Sequence, residues 1–248
     1  TVRDTALGYA VMAGADVGDP NSMGQPLPTL SGWDNPDVKG LRLGIYKPWF
    51  EHATPEVVRA ARAAVDALVA QGATLVVIDI PELENARLAH AVSILSEMAT
   101  TMDAYDGRHR GDLALTSRLL LALGRELTAR DYVRSQQVRT RATLAVAKAH
   151  ESCDAIVTPT CAIVAPRIGA DVMPRGESDL DLTSGMMRYV FLANLTGHPA
   201  LTVPCGYDAR GLPVGLQLMG RPWDEATVLQ AAHAYEQACD WKDRRPMI

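Results

Sequence analysis

No apolar run in the 248-residue chain approaches the roughly 20 residues that span a bilayer. Stretches such as Leu119-Leu120-Leu121-Ala122-Leu123 fall far short of it, so no transmembrane helix is expected. A basic block is also missing: 24 Lys and Arg stand against 29 Asp and Glu, for a net charge of -5. Nucleic-acid binding needs clustered cations that displace counterions from phosphates, so no nucleic-acid partner is expected. Cysteine is scarce, and the four present (Cys153, Cys161, Cys205, Cys239) show no paired spacing. Neither a disulfide framework nor a zinc ribbon fits that pattern, and an intracellular reducing compartment is the default expectation. The six histidines never fall at i,i+4 and none sits in H-E-x-x-H, so no metal site is expected. The serine-nucleophile patterns G-x-S-x-G and S-x-x-K are absent, and Gly14-Ala15-Asp16-Val17-Gly18 runs into a Pro-rich crossing instead of a helix N-terminus that could bind phosphate. The first residue is Thr1, without a Met or a signal-peptide pattern, and helical periodicity is already running at Val2. That start predicts a segment upstream.

What is present is the composition of a folded core, 48% hydrophobic and 21% charged. The opening helix carries Val2, Leu7, Val11 and Met12 on its apolar side and stops at Gly14, and residues 14–40 follow as an irregular surface crossing. Leu41 to Tyr46 reads as a strand. Thr54 then caps a helix that has Pro55 at its first position, Val57, Val58, Ala61, Val65, Leu68 and Val69 at helical spacing, and Gly72 as its stop. Thr74 to Ile78 is a second strand, and a strand-helix-strand unit this short signals parallel strands joined by a crossover helix. Helices are predicted from Pro81 or Glu82 to about Tyr105, from Asp112 to Leu123, and from a Thr128 cap to near Ser152. Asp154 to Thr158 is a buried strand closed by Pro159, and Ser184 to Leu195 a helix broken at Gly197-His198-Pro199. Strands at Ala200 to Pro204 and Val214 to Met219 flank a turn-rich connection, and a last helix runs from Asp224 to about Cys239. The sum is a single α/β body with a mixed sheet flanked by helices. Ser152-Cys153 ahead of a strand could hold a nucleophile, but a capping Ser and a buried Cys explain it more simply.

The stretch from Asn194 through Gly197-His198-Pro199-Ala200 to Gly206, followed by Gly211-Leu212-Pro213-Val214-Gly215-Leu216-Gln217 and on to Trp223, resembles the C-terminal hairpin of the amidase signature family. Asp154-Ala155-Ile156-Val157-Thr158-Pro159-Thr160 is similar to that family's buried strand beside the substrate pocket. Thr1 to Ala6 resembles the helix that follows its catalytic segment. Leu41-Arg42-Leu43-Gly44 with Trp49-Phe50, Pro81-Glu82-Leu83-Glu84 with Ala89-His90, and Met187-Arg188-Tyr189-Val190 look most like plant-type fatty acid amide hydrolases.

The resemblance implies that residues 1–248 are the C-terminal half of an amidase signature fold. It also implies amide hydrolysis, without a cofactor, by a Lys, a Ser in a cis peptide and a nucleophilic Ser. All three belong to a segment placed before the helix that opens at Thr1, and the only lysines, Lys39, Lys47, Lys148 and Lys242, lack the family's context. The chain is therefore expected to supply scaffold and substrate channel and to be inactive alone. Its expected partners are the N-terminal catalytic half and a small-molecule amide, with a homodimer allowed and membrane association only through an upstream segment. Alternatives are a small-amide amidase, a glutamyl-tRNA amidotransferase A-type subunit, or a non-catalytic remnant of the fold. Channel candidates are Leu95, Met98 and Met102 (with Ile94) on the long helix, and Thr158, Thr160, Cys161 and Ile163 where the buried strand ends. For the former the competing role is core packing; for the threonines it is bonding to local backbone.

Overall fold

The computed structural model describes residues 1–19, 22, 24–168 and 179–241. In chain order the elements are α1 (Val2–Met12), β1 (Arg42–Ile45), α2 (Lys47–Phe50), α3 (Pro55–Ala70), β2 (Thr74–Val77), α4 (Leu83–His109), a 3-10 turn (Arg110–Asp112), α5 (Leu115–Glu126), α6 (Ala129–Ala149), β3 (Ala155–Pro159), α7 (Leu180–Met187), α8 (Phe191–Thr196), β4 (Ala200–Tyr207), β5 (Pro213–Gly220) and α9 (Glu225–Gln237). Where the sequence reads as one body, these elements group into two compact units. The first comprises Thr1–Asp79, Lys148–Pro166 and the chain from Gly197 onward; the second comprises Ile80–Ala147 and Arg167–Thr196. No helix among the described residues is long and apolar enough to cross a membrane.

The first unit is built on a five-stranded sheet in the order β2-β1-β3-β5-β4. Strand β1 is parallel to both β2, to which the α3 crossover joins it, and β3, while β5 runs antiparallel to both β3 and β4. Alternation along the strands gives the sheet two unlike faces. Leu43, Ile45, Ala155, Val157, Val203, Cys205, Val214, Leu216 and Leu218 join the core with Val57, Ala61, Val65 and Leu68 of α3 and Val228, Leu229, Ala231 and Ala232 of α9. Each large side chain so buried contributes roughly 1.5–3 kcal/mol. The irregular crossing before β1 is pinned to this core by Val38, Leu30 and Trp33, the last packing edge-on against His233.

Three local expectations change. Helix α1 buries Val2 and Ala6, leaving Leu7, Val11 and Met12 exposed. Its rotation is set by packing on α9, where the Val2 amide donates to Glu236 Oε1 at 3.0 Å. Thr54 stands at the N-cap of α3, but its hydroxyl makes no capping bond and is buried without a partner, while its amide donates to Ala162 O at 2.8 Å. The helix foreseen over residues 184–195 is two, α7 and α8, separated by residues 188–190. Thr128 caps α6 as read, exchanging bonds with Asp131.

Asp154, immediately before β3, is held by two arginines. Its Oδ2 accepts from the Arg42 amide at 2.8 Å and Nε at 3.2 Å, and its Oδ1 accepts from Arg42 Nη2 and Arg221 Nη2, both at 2.8 Å. Arg221 also donates to the carbonyls of His150 and Cys153. Burial alone would raise this carboxyl; the Arg42 and Arg221 bonds outweigh it and hold it at about 2. Beside the cluster the buried rings of His150 and His198 stack, centroids 5.6 Å apart and 16° from parallel. His150 Nδ1 lies 3.9 Å from Cys153 Sγ, and its Nε2 is buried without a partner. Gly44 of β1 is obligatory here, since a Cβ would come within 2.6 Å of Cys153 Sγ.

Two stability experiments follow from this region. Asp154→Asn keeps the shape but removes the charge that two guanidiniums share, and is expected to cost about 2 kcal/mol at pH 7 in a denaturant melt. Because the folded carboxyl is depressed, its contribution is complete above the unfolded value near 4 and disappears as pH falls toward 2. The wild type should therefore lose more stability than Asp154→Asn across that window.

His150 is pulled down to about 4, first by burial and then by the neighbouring His198, so the unfolded chain binds the proton more readily. Stability should be full above about 6.5 and decline as pH drops toward 4. His150→Phe preserves the stacked ring without titrating, and is expected to flatten part of that slope in melts run from pH 7 to 4.5; an unchanged slope would place the titration elsewhere.

Candidate functional site

The second face of the sheet in the first unit is polar where β3, β5 and β4 meet. Registration puts Thr158 opposite Gln217 and Gln217 opposite Thr202, so three polar residues form a row across three strands. Gln217 Nε2 donates to Thr158 Oγ1 at 3.1 Å, and both residues are buried. One step toward the C-terminal end of β3, Thr160 Oγ1 and Thr202 Oγ1 lie 3.1 Å apart. The threonine hydroxyls thus bond across strands and not to local backbone. Gly215 makes this possible: its carbonyl accepts from the Thr160 amide at 2.8 Å, and a Cβ on it would stand 2.6 Å from Thr160 Oγ1.

Cys161 and Ile163 continue from this edge, each half-buried, with Ala162 buried between them. Burial pushes the Cys161 thiol up, which disfavours the thiolate and any nucleophilic role. Cys153 is less reactive still, pushed up to about 11 by burial. All four cysteines are free. Among the described residues no group of three or more His, Cys, Asp or Glu side chains is placed to hold a metal ion.

In the second unit, Leu95, Met98 and Met102 fall on one stripe of α4 and are half-buried, and Ile94 beside them is 44% exposed. In the first half of this helix the buried side is elsewhere, with Ala86, Ala89, His90 and Ser93 buried and Ser93 meeting Ser135 of α6 at 3.1 Å with Gln136 donating to it, whereas Ala99, one turn after Leu95, is buried beside the stripe. The helix is held close to α5 at Gly124, where a Cβ would collide with the Leu95 carbonyl. The candidates therefore lie in two groups, one in each unit. Sequence reading missed Thr202, Gly215 and Gln217, although the alternation in Val214-Gly215-Leu216-Gln217-Leu218 marks a strand with a polar second face.

The fold is that of the amidase signature enzymes. A bacterial aryl acylamidase of that group superposes with a TM-score of 0.80 at 22% identity, covering 100% of this chain and 54% of that one. The chain belongs to the Amidase family, whose model matches residues 1–229. It is 43% identical over its whole length to a fatty acid amide hydrolase of Medicago truncatula, covering 42% of that protein, and 38% identical to an amidase of Pseudomonas putida, covering 53% of it. The chain thus spans about half the length of the curated relatives it matches.

Gly215→Ala tests the integrity of the site. The added methyl must displace Thr160 or Thr202, and overpacking of this kind costs about 1–3 kcal/mol. A lower melting temperature is expected, and Thr160→Ser should not restore it because the obstructing hydroxyl remains.

Proposed function

We propose that these residues supply the scaffold and substrate channel of an amide hydrolase acting on fatty acid amides such as N-acylethanolamines. The lysine, bridging serine and nucleophilic serine are supplied from outside the 248 residues. In that chemistry a neutral lysine draws a proton through the bridging serine from the nucleophile, and amide groups stabilise the oxyanion. The observation that carries the reading is the end of β3, where the Thr160–Thr202 hydroxyl pair gives way to half-buried Cys161 and Ile163. A fatty amide has one polar group and a long apolar tail, and this edge offers a polar patch followed by a small apolar wall. Within the second unit, the half-buried Leu95, Met98 and Met102 stripe is a deformable apolar surface of the kind that suits acyl chains of different length. Thr158, buried and bonded to Gln217, supports the patch from beneath. Similarity to the Medicago fatty acid amide hydrolase supports the substrate class. The likeness to the Pseudomonas amidase favours, as a second reading, a smaller amide at the same patch.

The test is made in the full-length amidase. Cys161→Phe and, separately, Met98→Trp should lower kcat/KM for a long acyl amide by about tenfold or more relative to a short one, since bulk in an apolar channel discriminates by chain length. A serine-directed fluorophosphonate should label no serine within these 248 residues, and the chain alone should show no turnover. Equal loss on both substrates with a fall in melting temperature would assign the residues to packing, and stoichiometric labelling of a serine here would overturn the division of labour.

A further inference from the structure

We propose that Arg210, at the tip of the β4–β5 hairpin, is a positioning residue that fixes the chain after β3 and thereby sets acyl-length selectivity. The proposal rests on the channel reading of Thr160 to Ile163.

The strand ends at Pro159, and the chain leaves the sheet after one last bond to β5, made by Thr160. Three bonds from separate parts of the first unit, that one included, hold the segment. The Thr160 amide donates to Gly215 O at 2.8 Å, the Thr54 amide donates to Ala162 O at 2.8 Å, and Arg210 Nη2 donates to Ala165 O. Cys161 lies between the first two anchors; Ile163 and Val164 lie between the second and third. Val164 packs against the core, whereas Ile163 does not join it. The Arg210 bond is the last of the three; among the described residues, the other hold on the chain beyond Ala162 is packing, chiefly of Val164 against the core.

Arg210 is itself preorganised. The side chain of Asp208 is 2% exposed, and its Oδ1 accepts from the amides of Arg210 at 2.8 Å and Leu212 at 2.9 Å. Its Oδ2 accepts from Arg210 Nε at 2.9 Å and Nη2 at 2.7 Å. An arginine locked in this way donates to a carbonyl with little further loss of side-chain freedom. A turn-tip Asp needs only the two amide bonds to close its turn. The guanidinium reaching Ala165, 45 residues away in sequence, is an addition that turn formation does not require.

In the full-length enzyme, Arg210→Ala should lower kcat/KM for a long acyl amide about tenfold while a short one stays within about twofold, the scale of a modest misplacement of a substrate wall. Deuterium uptake should rise in the peptide covering residues 160–166. Asp208→Asn should shift the substrate ratio in the same direction, and the double variant no further than Arg210→Ala alone, because both act through the Ala165 carbonyl. If Cys161→Phe alters the ratio but Arg210→Ala does not, the positioning role is wrong and the channel reading stands. If neither alters it, the channel reading falls and the proposal with it. Equal loss on both substrates accompanied by a lower melting temperature would make Arg210 a purely structural residue and also overturn the proposal.

Discussion

The Asp154 carboxylate is the point through which the sheet of the first unit is held in register. It binds the amide and guanidinium of Arg42 at the start of β1 and the guanidinium of Arg221 just past the end of β5. Those two strands flank β3, one parallel and one antiparallel, and one side chain fixes both relative to it. Arg221 extends the hold to the carbonyls of His150 and Cys153, so the passage from α6 into β3 is set as well. Exposed ion pairs contribute little on their own. This one differs because the carboxylate is only 20% exposed and each oxygen accepts at least two charge-assisted bonds.

Once register is fixed, side-chain alternation divides the sheet into two functions. One face is continuous apolar surface under α3 and α9. The other carries Thr158, Gln217 and Thr202 in a row, with Thr160 above them. A slip of one residue in β5 would send Gln217 into the apolar core and leave its amide unsatisfied. Stability and the polar patch are therefore secured by the same constraint.

Local chemistry made much of this legible from the sequence. Pro55 and Gly72 bracket α3 and the turn formers between Tyr207 and Pro213 mark the hairpin, so the parallel pair and the final antiparallel pair could be read without a structure. Long-range pairing was opaque. Nothing near Asp154 in the chain announces Arg42 or Arg221, which lie 112 and 67 residues away. The exposed face of α1 misled because periodicity identifies an apolar stripe but not its partner, and α9 takes Val2 and Ala6 instead of Leu7 and Val11. Thr160 and Cys161 could be singled out as candidates because they follow the end of a strand, a place where ligands gather in α/β sheets. Thr202, Gly215 and Gln217 were missed because their role exists only across the register.

The hydrogen-bonding capacity of the Thr160–Thr202 pair bears on what that edge can recognise. Two hydroxyls carry two donors and four acceptor sites between them, and the bond joining them uses one of each. One O–H remains to donate and three lone pairs remain to accept, so the pair can meet either the carbonyl or the N–H of an amide. A fixed charge at the same place would favour one polarity of ligand and would carry a large desolvation cost against an acyl chain. Neutral hydroxyls, kept at a fixed spacing by the absence of a side chain on Gly215, give the edge polarity without that cost. In the proposed channel, selectivity would then fall to the positions that follow, Cys161 and Ile163, and to whatever holds them in place.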